Sequence, residues 1–400
     1  MKKGNLFFTV LIIACIAFAV KNFSSDDGGS ASGDYGYSIN IDDTADIGYS
    51  MPEHRNMYNQ LDSTEKSLYS ELRKGIAAGN TTITVYTDDY DRSVEALYQA
   101  YDALYYDFPE FFWLNGGWRC NGEYAGIGYN MIIETGCYDY WQYTNDKDGY
   151  IEAALSEAKR IAAMADTLEN DYEKAKFVHD YLVVNAEYDY VCLEEINQTV
   201  QRASSQQSHT IYGCLVNKVC VCDGYAKSFQ LIMSMLGVDA EYVEGDAGGG
   251  HAWNYILLGG DEYWLDVTWD ENELEDDNGN LLAPNGANYG YFCVTDNKLY
   301  ETHTPDPTFK IPVCDSDEYN FFVYENSYLQ SYDFEAFCNA VAEQKGAQII
   351  HIRFASESAL ETAVDQIVYN GKYKQVPGLS DKNPQFYSNK NEIIMHIYLS

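Results

Sequence analysis

The spacing of apolar positions changes period several times along the chain, and each change marks a different kind of element. Behind Lys2 and Lys3, an apolar run from Leu6 to Val20 is shorter than a bilayer crossing needs and has the length of a signal-peptide core. Ala17-Phe18-Ala19 supplies a small-x-small cleavage pattern. Residues 1–19 are therefore expected to be an export signal, removed after Ala19 or, alternatively, kept as an anchor, which makes the protein secreted or attached to the cell surface. Residues 20–49, rich in Ser, Asp and Gly, read as a solvated linker.

From residue 50 the pattern becomes that of folded chain. Asp62 with Glu65 predicts a capped helix start, and Leu68, Leu72 and Ile76 recur every four residues before Gly79. A second helix is expected at 93–106, with Val94, Leu97, Tyr101 and Leu104 on one side, followed by a strand pair at 124–133 and 138–143. Residues 50–149 thus read as a small N-terminal α+β region. Helices at 150–168 and 171–184 and a polar loop at 198–209 open a central segment, 150–305. Beyond it, strand-like 320–324, helical 333–344, strand-like 348–354, helical 356–368 and strand-like 392–399 predict a small C-terminal α/β appendage, 306–400. The class expected is α+β.

Composition narrows the possibilities. An apolar fraction of 46% and 37 tyrosines supply the burial that offsets ordering entropy, so most of the chain should fold. A net charge of -37 repels phosphate backbones and anionic lipid, which argues against a nucleic-acid partner. Membrane contact is left to the N-terminal segment, if it is uncleaved. Setting aside Cys15 in the export signal and one cysteine as a reactive thiol leaves Cys120, Cys137, Cys192, Cys214, Cys220, Cys293, Cys314 and Cys338. That even set is compatible with disulfides in an oxidising compartment. Paired Cys-x-x-Cys clusters with histidine spacing are missing, so no metal or other cofactor is assigned.

The candidate chemistry lies in the central segment. Cys222 heads Cys222-Asp223-Gly224-Tyr225-Ala226, after which Ala226, Phe229, Ile232, Met233 and Leu236 form the apolar face of a helix ending at Gly237. A thiol at a helix N-terminus feels the positive end of the dipole and unsatisfied N–H groups, which favour the thiolate and could hold an oxyanion. Cys220 and Cys214 lie outside the helix start and read as buried or disulfide cysteines. Downstream, the aromatic and β-branched run from His251 to Leu258 and the run from Glu262 to Trp269 are joined through Gly259-Gly260, a hairpin signature. An even loop makes paired positions sum to an odd number, which puts His251 and Asp266 on one face. An Asp in an apolar strand is costly unless paired, so each of the two explains the other. Asp266 would orient His251, and His251 would take the proton of Cys222.

Three motifs then carry a resemblance. Val221-Cys222-Asp223-Gly224-Tyr225-Ala226, Gly249-Gly250-His251-Ala252-Trp253-Asn254 and Leu265-Asp266-Val267-Thr268-Trp269-Asp270 resemble, in that order, the Cys, His and Asp motifs of transglutaminase-like domains, over roughly residues 150–305. The resemblance implies a papain-like core, with the nucleophile helix packed on an antiparallel sheet. It also implies a thioester acyl-enzyme on Cys222 that is resolved by water, as in a peptidase or deamidase, or by an amine, forming an isopeptide bond, on a protein or peptide substrate that could belong to the cell envelope. Some members have lost catalysis, which leaves a non-catalytic surface binding module as the alternative. The family also places a side chain upstream to help hold the oxyanion, and Tyr188 in Glu187-Tyr188-Asp189 is the candidate, with core packing as its equal alternative. Trp253 and Trp269 flank the site and read first as core. The acidic residues of 270–280 read as a solvated loop rather than a calcium site. Asn80-Thr81-Thr82 and Asn197-Gln198-Thr199 are sequons whose use depends on the host. His179 is expected to make structural hydrogen bonds and His303 to sit in a loop closing the domain, neither completing a second site.

Overall fold

The computed structural model describes residues 49–195, 202–271 and 286–399. The expected export signal, nearly all of the expected linker, the second sequon and most of the acidic stretch lie outside the described residues. Among those residues no helix is long and apolar enough to cross a membrane.

The N-terminal region begins with helix α1 (Ser63–Ala77), whose Asp62 side chain accepts from the Thr64 and Glu65 amides while Glu65 reaches back to the Asp62 amide. This is the capping box that the Asp-x-x-Glu spacing predicts. Strand β1 (Thr82–Thr87) follows, then helix α2 (Tyr90–Asp107) and strands β2 (Leu114–Tyr124) and β3 (Tyr129–Cys137), giving an antiparallel sheet in the order β1-β3-β2. Two expectations are corrected here. The strand pair is 114–124 with 129–137, and the stretch read as its second strand is a short helix, α3 (Asp139–Tyr143). Aromatic alternation misled because Tyr140 and Trp141, adjacent in sequence, are both buried, with Trp141 stacked on Trp113 at 4.7 Å.

The central segment opens with α4 (Lys147–Ala165) and α5 (Asp171–Asn185), then β4 (Glu187–Tyr188), α6 (Tyr190–Glu195) and α7 (Ala203–Ser208). Residues 203–208 are therefore helical where a loop was expected. Strand β5 (Val219–Cys220) pairs with β4 and leads into α8 (Cys222–Met235), which Gly237 leaves at φ 74°. A five-stranded antiparallel sheet follows, built from β6 (Ala240–Asp246), β7 (Gly250–Leu258), β8 (Asp261–Leu265), β9 (Phe292–Val294) and β10 (Thr304–Pro305) in the order β10-β6-β7-β8-β9.

Helix α8 is buried almost all round: Tyr225, Phe229, Leu231, Ile232 and Met233 are each inaccessible. Such a helix must be walled on every side, and α4, α5, β6 and β7 pack around it. The same core continues into the N-terminal region through Tyr69, Leu97, Tyr101 and Phe108, so the two regions share one apolar interior. Arg55 seals part of that seam, with a bond of 2.7 Å to the inaccessible Glu110 carboxylate.

Beyond residue 305 the expected strand at 320–324 is instead a helical turn, Phe321–Tyr324, capped by Asn320. Strand β11 (Tyr328–Leu329), helix α9 (Phe334–Glu343), strand β12 (Ile349–Phe354), helix α10 (Glu357–Ala363) and strands β13 (Gln385–Asn389) and β14 (Ile394–Tyr398) complete the chain. Their sheet, β11-β12-β14-β13, has its own core of Phe337, Ile350, Ile352, Leu360 and Ile397.

Candidate active site

The site is assembled at the start of α8 and the end of the β7–β8 hairpin. Gly259 and Gly260 both have positive φ, 63° and 103°, as a two-residue hairpin turn of this hand requires. The register pairs Leu258 with Asp261 and Asn254 with Leu265, so paired positions sum to an odd number, as the even loop demands. His251 and Asp266 fall on one face as expected, and His251 Nε2 meets Asp266 Oδ2 at 2.7 Å with both residues buried.

Asp266 has every acceptor site in use. Oδ1 receives the Thr268 and Trp269 amides at 2.9 and 3.2 Å, and Oδ2 is shared by His251 and by His303 Nε2 at 3.1 Å. Burial by itself pushes this carboxyl's pKa up, but the two imidazoles outweigh it and hold the group well below the usual carboxylate range. Spending Nε2 of His251 on the carboxylate leaves Nδ1 as the ring's reactive nitrogen.

His303 sits in the connecting chain expected of it, but its bond to Asp266 was not foreseen from the sequence. It does lie just before β10, but pairing of Thr304 with Asp246 and of Pro305 with Gly245 carries it beneath β7, where it is inaccessible to solvent. Its Nδ1 faces Thr302 Oγ1 at 2.8 Å, and Thr302 meets the Tyr291 hydroxyl at 3.0 Å. Trp253 and Trp269 wall the pair of histidines, with ring centroids 4.9 and 4.5 Å from His303 and 5.8 and 5.9 Å from His251. The donor atoms of His251, Asp266 and His303 lie within 4.8 Å of one another, a spacing a metal ion could use. Their contacts are nevertheless hydrogen bonds, and the carboxylate's other oxygen is committed to two amides, so the set reads as a network rather than as a coordination shell.

Cys222 is the first residue of α8 and is nearly buried, packing with Ala226, Tyr242 and with Ala252, the residue after His251. The Asn254 amide ties β7 to this helix by donating to the Ala226 carbonyl at 3.0 Å and to the Glu241 carbonyl at 3.2 Å. Gly224 is required here, since a Cβ would stand 2.7 Å from both Cys220 Cβ and the Ser208 carbonyl. Tyr188 is half-buried on β4, directly paired with Cys220, and so lies beside the strand that delivers Cys222.

The remaining cysteines differ from the expectation of disulfides: no disulfide joins any of the described cysteines. Burial pushes the Cys137 thiol up to about 11 and the Cys220 and Cys293 thiols well above their ordinary value, so these are poor nucleophiles at neutral pH. His179 makes the structural bonds expected of it, to Asp180 at 3.1 Å and to Asp270 at 3.2 Å. Asp270, the last residue of the third motif, also accepts the Tyr291 amide at 2.8 Å, so it fastens α5 to the chain beyond Asp266.

Residues 159–269 match the family model of the transglutaminase-like superfamily, a stretch running from α4 through Cys222, His251 and Asp266 to Trp269. No curated protein matches the chain. Among solved structures it is similar to a TGase, at 14% identity over 40% of this chain and 46% of that one, with a TM-score of 0.29. It is also similar to a candidate cysteine protease from Cytophaga hutchinsonii, at 14% identity over 38% of this chain and 61% of that one, TM-score 0.22. A third, a candidate protease from Parabacteroides distasonis, shares 10% identity over 37% of this chain and 35% of that one, TM-score 0.21. The alignments span less than two thirds of each of these three chains. Residues 159–269 form a transglutaminase-like domain within an α+β chain.

Proposed function

We propose that the transglutaminase-like domain is a thiol acyl-transfer enzyme acting on protein or peptide substrates outside the cytoplasm, with Cys222 as nucleophile, His251 as base and Asp266 as the group that orients it. The observation that carries the reading is the buried 2.7 Å bond between His251 and Asp266, with His251 on the strand that packs against the helix Cys222 begins.

The geometry supports the following sequence. Asp266 holds His251 with Nε2–H toward its carboxylate and stabilises the imidazolium, so Nδ1 can take the Cys222 proton. The positive end of the α8 dipole favours the thiolate. Thiolate attack on an acyl carbonyl forms the S–C bond, and the tetrahedral oxyanion falls near the α8 amides, with Tyr188 as a further donor. Collapse expels an amine or ammonia, which takes its proton from His251, and leaves a thioester on Cys222. His251 then deprotonates the acceptor, water or a primary amine, and the thiolate departs as the new acyl bond forms.

Mass spectrometry of Gln-containing peptides incubated with the protein, with and without a primary amine, tests this. Addition of the amine, loss of ammonia or cleavage is expected in the wild type and lost in Cys222→Ala. An unchanged peptide mass across a broad peptide set, with the protein folded, counts for a binding module instead.

A further inference from the structure

Asp223 follows Cys222 in the first turn of α8, where a carboxylate works against the thiolate by placing a like charge next to it. The structure sets two cations against that carboxylate. His209 Nδ1 lies 3.1 Å from both of its oxygens, and Lys227 Nζ lies 4.0 Å from Oδ2. The other His209 nitrogen faces Cys192 Sγ at 3.3 Å, while that inaccessible sulfur also contacts the Ser205 carbonyl at 3.4 Å. The Tyr138 ring stacks on the imidazole at 6.4 Å. Cys192, His209 and Asp223 therefore repeat the thiol–imidazole–carboxylate order of the active site a few residues away. Cys192 has no solvent access, however, and an inaccessible thiol is no nucleophile for a substrate.

The groups facing His209 are Cys192 from α6, Asp223 from α8 and Tyr138 ahead of α3, with Asp189 bonded to the adjoining Ser208 at 2.5 Å. Around Asp223 stand Lys227, Tyr105 of α2, Tyr242 and Glu244. Both imidazole nitrogens meet acceptors, which suits a doubly protonated ring. Burial pulls its pKa down, but Asp223 first and Cys192 second push it up to about 10. Lys227 is committed elsewhere, bonded to the Tyr105 hydroxyl at 2.7 Å and seated over the Tyr105 and Tyr242 rings at 4.1 and 4.9 Å.

We propose that His209, clamped between Asp223 and Cys192, is a positioning residue that neutralises Asp223 and so protects the thiolate of Cys222. This rests on the acyl-transfer reading of Cys222. The test is the pH dependence of Cys222 alkylation by iodoacetamide in the full chain, read by peptide mass spectrometry. His209→Gln keeps a donor for Asp223 but loses the charge, and should raise the midpoint for Cys222 by about one pH unit, the order expected for one neighbouring charge, slowing alkylation on the acid side about tenfold. Adding Asp223→Asn to His209→Gln should restore the wild-type midpoint, which a purely structural role would not. An unmoved midpoint in His209→Gln, or one that Asp223→Asn leaves raised, overturns the proposal. Should His209→Gln not fold, Asp223→Asn alone should lower the midpoint, and a midpoint unchanged or raised would refute it. The same shift is expected in a His251→Ala background, where acyl transfer is off, so its absence there counts against His209 and not against acyl transfer.

Discussion

Asp266→Asn is the most informative single change in the site, because it preserves shape while reversing hydrogen-bond polarity at one position. Oδ1 can stay as the amide oxygen and keep the Thr268 and Trp269 amides. The new NH2 then faces His251 Nε2 and His303 Nε2, where the carboxylate oxygen had accepted both. A donor set against two donors in a buried site costs about 1–3 kcal/mol per unmade bond. The least costly escape moves the His251 proton to Nδ1, which turns the nitrogen meant for Cys222 from a base into a donor. Turnover should therefore fall by about 10³ to 10⁴, the order that a wrong tautomer costs in such triads, with stability reduced by about 2–5 kcal/mol in urea unfolding. Steady-state amine incorporation with circular dichroism as the folding control measures both. Activity within a few-fold of wild type in a folded Asp266→Asn protein would refute the orienting role of this carboxylate.

Two other consequences follow from buried histidines. His303→Ala should leave Asp266 one donor short and lower turnover by roughly tenfold, with His303→Gln recovering part of the loss because it can still donate, and the ratio of the two rates reports positioning rather than packing. His351 and His396 meet nitrogen to nitrogen at 2.9 Å between β12 and β14, and burial depresses both, His396 to about 3. Their folded forms stay neutral while the unfolded chain takes up protons below its pKa of about 6.5, so the pair's contribution is intact above that pH and lost as pH falls toward 3, by up to about 1.4 kcal/mol per unit for each ring. Carboxyls raised by burial, such as Asp270 at about 6, act in the opposite sense, so the measurement is the difference in urea stability between wild type and His351→Leu/His396→Leu at pH 7 and pH 5. A difference that does not change with pH would show that the pair does not titrate as described.

Much of this site was legible because its determinants are local. The start of α8 follows from a Cys-Asp-Gly string ahead of an apolar helical face, and turn length with strand parity puts His251 and Asp266 on one face, where they are eligible to meet. His303 was not legible: it touches Asp266 from 37 residues away, through a two-residue strand with no hydrophobic pattern of its own. Cys192 and His209 escaped for a similar reason, since each looks like an ordinary core or loop residue until α6 and α7 fold against the first turn of α8. In the flanking regions, β13 is hidden because Ser and Asn leave it no alternation, whereas β1 does carry a strand-like Thr-Ile-Thr-Val alternation that went unnoticed; Phe321–Tyr324 was misread because four apolar residues in a row suit a strand as well as a capped turn. The disulfide expectation failed because cysteine parity says nothing about bonding: Cys214 and Cys220 do lie side by side in one core, yet no disulfide joins any of the described cysteines.

The central claim is that Cys222 is a nucleophile activated by His251. It is tested most directly by the rate of Cys222 alkylation across pH 4 to 10 in wild type and His251→Ala, resolved from the other cysteines by mass spectrometry. Cys222 should react at pH values well below the free thiol pKa of about 8.5, and His251→Ala should move that reactivity back toward the free value. A Cys222 that reacts only above pH 8.5 in both proteins, as the buried Cys137 should, would contradict it.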